Sequence, residues 1–109
     1  MKIEHHPFEI IDWDNVPDEQ HTGETGLATW KVLHVGDIRV RRVVYSPEYI
    51  ADHWCNKGHI IHCIEGEMVT ELEDGRRMEL KKGFSYIVGD ESAAHKTSTT
   101  NGCILFIVD

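Results

Sequence analysis

The stretch Asp52 to Gly66 reads D-H-W-C-N-K-G-H-I-I-H-C-I-E-G and gathers three of the chain's eight histidines and two of its three cysteines. Imidazole and thiol side chains are ligands for transition metals, and no other segment of the 109 residues concentrates them in this way. If His53 and Cys55 lie on one extended strand, the two-residue period of a strand turns both to the same face. A short turn at Asn56, Lys57 and Gly58 then returns the chain so that His59 joins them, and three ligands come from one hairpin.

Outward from this stretch the chain reads as short strands. L-A-T-W-K-V-L-H-V runs from Leu27 to Val35 and stops at Gly36-Asp37; I-R-V-R-R-V-V-Y runs from Ile38 to Tyr45 and stops at Ser46-Pro47. Beyond Gly66, E-M-V-T-E-L-E and R-R-M-E-L flank Asp74-Gly75, which predicts a hairpin with a type I′ turn. F-S-Y-I-V follows Lys81-Lys82-Gly83, and H-K-T-S-T leads to Asn101-Gly102, which predicts a second hairpin-type turn. C-I-L-F-I-V-D is a buried strand that closes the core. Residues 1–26 carry Phe8, Ile10, Ile11 and Trp13, then an acidic turn-rich run; they predict one short strand and an irregular loop with a single helical turn near Pro17. About eight strands and no helical periodicity indicate an all-β sandwich or barrel in a single domain over 1–109, with 27–109 as the barrel.

Composition narrows the class further. The chain is 40% hydrophobic and 28% charged, and no apolar run is long enough to span a bilayer. Eleven basic against nineteen acidic residues give a formal charge of −8, which repels phosphate backbones and anionic lipid, so neither nucleic acid nor a membrane is expected as a partner. The start, M-K-I-E-H-H-P-F-E-I, lacks the features of a secretory signal, and three cysteines cannot all pair. A cytoplasmic protein with its cysteines as thiols or ligands is the expectation.

These residues resemble the cupin superfamily. His53-x-Cys55, three residues, His59, six residues, Gly66 keeps the spacing of the first cupin motif, with Cys in place of the second His and His in place of the Glu. Gly83, five residues, Gly89-Asp90-Glu91, three residues, His95 echoes the second motif in degenerate form. The D-H-W-C-N-K-G-H run is similar to the signature of a subgroup of small single-domain cupins, the DHCW-motif cupins. The resemblance implies a double-stranded β-helix, or jelly-roll barrel, a homodimer, and one divalent transition metal per subunit held inside the barrel by His53, Cys55, His59 and His95. Imidazole and thiolate favour zinc, iron, nickel or copper over magnesium or calcium, with zinc, iron and nickel foremost. A tetrahedral zinc with four protein ligands is a closed, structural site; an octahedral iron or nickel keeps two positions open.

Strand parity sorts the neighbours. Cys63 shares parity with His59 and points inward, as a spare ligand or as a small buried residue; His62 and Trp54 have the opposite parity and face outward or a subunit contact. Asp52 is placed to orient His53 or to hold the turn. Tyr86 faces the cavity as filler or as a hydrogen-bond donor to a small molecule. Arg39, Arg41 and Arg42 read as a solvated face, as do Glu65, Glu67, Glu71 and Glu73. His5, His6, His21 and His34 are surface residues. Two functions follow: a metal-dependent enzyme acting on a small organic molecule, of oxygenase or isomerase type by family analogy, or a non-catalytic module that holds a metal or a small ligand. A jelly roll without metal is the third reading.

Overall fold

The computed structural model describes residues 2–109. A single 3-10 turn, Trp13–Asn15, precedes eight strands: β1 Glu19–Thr22, β2 Leu27–Val35, β3 Ile38–Tyr45, β4 His59–Leu72, β5 Arg77–Lys81, β6 Ser85–Val88, β7 His95–Ser98 and β8 Cys103–Val108. Every pairing between them is antiparallel, and the main path runs β1-β2-β3-β8-β4-β5. β4 is the hinge of the architecture. Its first half lies between β8 and β6, its second half between β5 and β7, and a bulge between Cys63 and Glu65 turns it from one sheet to the other. Bulges bend and over-twist a strand, which is how one segment serves both layers of a barrel. Among the described residues no helix is long and apolar enough to cross a membrane.

The core sits between the layers. Val43, Ile61, Cys63, Met68, Leu80, Cys103, Leu105 and Ile107 form its buried cluster, with Trp30, Tyr45 and Tyr86 packed against it. β4 and β8 carry the alternation expected of half-buried strands: Ile61 and Cys63 are buried between partly exposed neighbours, and so are Cys103, Leu105 and Ile107.

Four local expectations differ from the structure. The Asp74-Gly75 hairpin is present, but its turn is not type I′: only Gly75 has positive φ, the Gly75 N–H donates to the Leu72 carbonyl, and the Leu72 N–H donates to Arg76. That is a three-residue loop, a type I turn closed by a left-handed glycine. Asn101-Gly102 makes no hairpin, because β7 pairs with β4 while β8 pairs with β3 and β4; the turn carries the chain between layers. Residues 53–58 form a loop rather than a strand and turn, with Cys55 bridged singly to His95. At the N-terminus the helical turn lies at Trp13–Asn15, capped by the Asp12 carboxylate, and the strand is the polar Glu19–Thr22; Phe8 and Ile10 are exposed in extended chain.

A candidate metal centre in the barrel

Cys55, His59 and His95 offer ligand atoms that all lie within 4.8 Å of one another. Each arrives by a different route. His59 opens β4 with the inward parity of Ile61 and Cys63, and its side chain is 8% exposed. His95 opens β7 and is 4% exposed. Cys55 is fixed opposite His95 by a pair of backbone hydrogen bonds, Cys55 N–H to the His95 carbonyl at 2.8 Å and His95 N–H to the Cys55 carbonyl at 3.0 Å. Directly opposed residues project to the same face, so a forty-residue separation in sequence closes to a side-chain contact.

Gly58 explains how the loop can lie there. A Cβ at this position would meet the Asp90 nitrogen at 2.7 Å and the Val88 carbonyl oxygen at 2.9 Å, so only glycine allows the approach. The Gly58 N–H donates to the Asp90 carboxylate at 2.7 Å, and the Glu91 N–H donates to the Asn56 carbonyl. Lys57 contributes its backbone N–H to Cys55 Sγ at 3.4 Å.

The two imidazoles are set by their far nitrogens. His95 Nδ1 lies 2.8 Å from the Ala93 carbonyl, which can only accept. His59 Nδ1 lies 3.1 Å from Asp109, whose carboxyl is buried: burial alone raises its pKa, but the hydrogen bonds from His59 and Arg39 and the charges of Arg41 and Arg39 hold it far below the ordinary carboxylate range. An ionised carboxylate also only accepts. Each Nδ1 thus faces an acceptor, and the two Nε2 atoms are left facing each other at 2.7 Å. Imidazole nitrogens at that distance either share a proton or turn their lone pairs to a metal ion, and with the Cys55 sulfur beside them the donor set fits a transition metal.

His53 is not in this group. Its ring is 74% exposed and bonds the Asp52 carboxylate at 2.6 Å, while still lining the mouth of the same cavity. Of the four residues that the resemblance implies, the structure thus brings three together and leaves His53 at the rim. Cys63 is fully buried, its thiol directed at the Glu65 and Gly66 carbonyls. His62 faces away and bonds Ser85. Tyr86 stands edge-on to both His59 and His95, and burial pushes its phenol up to about 12, so it is a neutral hydroxyl.

Sequence reasoning missed a second group in the same cavity, which measures about 140 Å³. Arg39 and Arg41 point inward, not to solvent. Arg39 meets both oxygens of Asp109 at 2.9 and 3.1 Å, and Arg41 Nη2 meets it at 2.8 Å. The Asp109 side chain is wholly buried and that of Arg41 nearly so. The available signal was parity: Arg39 and Arg41 share a face with buried Val43, and Asp109 with Ile107 and Leu105.

Solved structures place this architecture. A predicted oxalate decarboxylase from Thermotoga maritima superposes with a TM-score of 0.76 at 14% identity, over 92% of this chain and 96% of that one. A cupin-2 domain containing protein from Shewanella frigidimarina gives 0.60 at 18% identity, over 73% and 78%. The chain has the cupin fold. The Fe(II) form of HppE superposes with a TM-score of 0.74 at 14% identity, over 94% of this chain and 60% of that one. No protein-family model matches the chain, and no curated protein does. At these identities the likeness concerns the cupin fold alone.

Proposed function

We propose that this cupin holds one divalent transition metal on Cys55, His59 and His95 and acts as a metal-dependent enzyme on a small organic molecule in the adjoining cavity. The observation that carries the reading is the convergence of the Cys55 sulfur, His59 Nε2 and His95 Nε2 within 4.8 Å, with each ring facing an acceptor at its own Nδ1. A shared proton is the competing cation, and burial, with the neighbouring His59, lowers the pKa of His95 against it. Three protein ligands are the number found in catalytic rather than structural sites. A divalent ion there would supply Lewis acidity and, if iron, redox chemistry. Tyr86 provides a neutral hydroxyl beside the ligands, and Asp109 holds the His59 ring in its metal-facing tautomer. The Fe(II) form of HppE and the predicted oxalate decarboxylase, as neighbours in fold, agree with an enzyme.

Elemental analysis of the untagged protein after reconstitution tests the metal. One ion per chain is expected in the wild type and in His53→Ala, and loss of it in Cys55→Ala, His59→Ala and His95→Ala. A wild type without stoichiometric metal sinks the reading.

The rim position of His53 motivates the second reading, a holding or sensing module whose shell His53 completes. That reading predicts that His53→Ala loses the ion as readily as Cys55→Ala does. A homodimer is proposed with either, because Ile60, Phe84 and Ile87 leave apolar surface exposed around β4 and β6; light scattering at a monomer mass refutes it.

A further inference from the structure

The cavity contains more positive charge than its protein partners neutralise. Two guanidinium groups, Arg39 and Arg41, share the single carboxylate of Asp109. Asp109 Oδ2 already takes Arg39 Nη2, Arg41 Nη2 and the His59 N–H, and Oδ1 takes Arg39 Nε, so Arg41 shares a crowded oxygen through one nitrogen alone. Among the described residues Arg41 makes no other side-chain hydrogen bond, and its Nε is buried without a partner. An unsatisfied donor on a buried charge is costly unless something meets it.

The arrangement is also rigid. The Arg41 guanidinium lies over the Trp30 ring, 4.4 Å from its centroid, and Arg39 lies at 5.5 Å. Stacking fixes the plane of the fork, and a planar fork with unused N–H groups is complementary to a carboxylate. All this occurs inside a chain of net charge −8, whose outer field opposes anions and whose interior here invites them.

We propose that the Arg41 fork, backed by Arg39, is an anion subsite that binds a small carboxylate in the barrel, beside the Cys55, His59 and His95 group. The inference deepens the function proposed above by naming the substrate class, a short carboxylic acid carried as its anion. The carboxylate takes the donors of Arg41 that Asp109 leaves unused, and the rest of the molecule is directed toward His59, His95 and the Tyr86 hydroxyl, which line the same cavity. The volume of about 140 Å³ restricts the ligand to a few heavy atoms.

Calorimetric titration of metal-free full-length protein at constant ionic strength tests this subsite independently of the metal. The probes are acetate, malonate, acetamide and inorganic phosphate. Saturable binding of acetate or malonate is expected, at least tenfold tighter than acetamide and tighter than phosphate. Arg41→Lys, which keeps the charge and loses the fork, is expected to weaken carboxylate binding at least tenfold while circular dichroism stays that of the wild type. Equal affinity for acetate and acetamide, preference for phosphate, or no saturable carboxylate binding overturns the proposal, and each is read on the wild type without any variant. Metal stoichiometry measured on the same preparation reports separately on the metal site: carboxylate binding without metal uptake refutes that site alone, and metal uptake without carboxylate binding refutes this one.

Discussion

Along β3, β4 and β8 the inward residues change character within two rungs. From the closed end upward, β3 presents Val43 and then Arg41 and Arg39, β4 presents Cys63, Ile61 and then His59, and β8 presents Leu105, Ile107 and then Asp109. Backbone hydrogen bonds between Arg39 and Asp109 continue the β3–β8 ladder to that level. The same strands thus build an apolar plug at one end and a charged pocket at the other. Val43, Cys63 and Leu105 are stabilised by removal from water; Arg41, Asp109 and His59 lose hydration by the same removal and depend on one another to recover it. Stability is concentrated at one end, and chemistry at the end where stability is conditional.

The difference can be broken most severely at Asp109. Asp109→Ala leaves two guanidiniums unpaired and is expected to cost about 4 kcal/mol in denaturant unfolding; adding Arg41→Met is expected to recover part of that loss. Failure of the second change to recover anything would mean that the polar end is not a charge network. Leu105→Ala, at the opposite end, is expected to cost about 3 kcal/mol through cavity formation, with metal content per folded chain unchanged. Loss of metal in that variant would merge the two ends into one unit.

Chelation touches only the polar end. With metal at a hundredfold above its Kd the ion adds about 2.7 kcal/mol, so a chelator lowers the thermal midpoint of the wild type and leaves that of Cys55→Ala where it was. The smallest effect is the pH dependence. Because the folded Asp109 carboxyl lies far below its ordinary 3.8, the unfolded chain binds the proton first. Stability from this group is complete above that value and declines as pH falls through it toward the folded pKa. Denaturant midpoints at pH 5, 4 and 3 should therefore fall in that order, and Asp109→Asn should remove that part of the trend.

The strands were legible because apolar residues alternate between clear stops: Leu27–Val35, Ile38–Tyr45 and Cys103–Val108 appear where the pattern puts them. The cluster of Cys55, His59 and His95 was legible through motif spacing, although the loop that delivers Cys55 is not a strand and is held instead by the bridge to His95 and by the close approach at Gly58. His53 shares the motif but not the cluster, since its nearest acceptor is the adjacent Asp52. Arg39, Arg41 and Asp109 were not legible. In I-R-V-R-R-V-V-Y the alternation is real, but both faces carry apolar residues, and charge alone assigns the arginines outward. The residue that reverses this, Asp109, lies about seventy positions away, and only the β3–β8 register brings it alongside.

β4 has hydrogen-bonded neighbours on both edges in each half, β8 and β6 before the bulge, β5 and β7 after it. A strand held in this way cannot peel from one layer while the other stays intact. Exchange of the Ile61 and Cys63 amides with solvent deuterium then requires opening of the whole molecule, whereas the loop from Asp52 to Gly58 can open by itself. His59 stands on that doubly held strand, while Cys55 stands on a loop tied down by one bridge to His95, so the pocket has one wall that opens only with the whole molecule and one whose hold rests on a single pair of backbone hydrogen bonds.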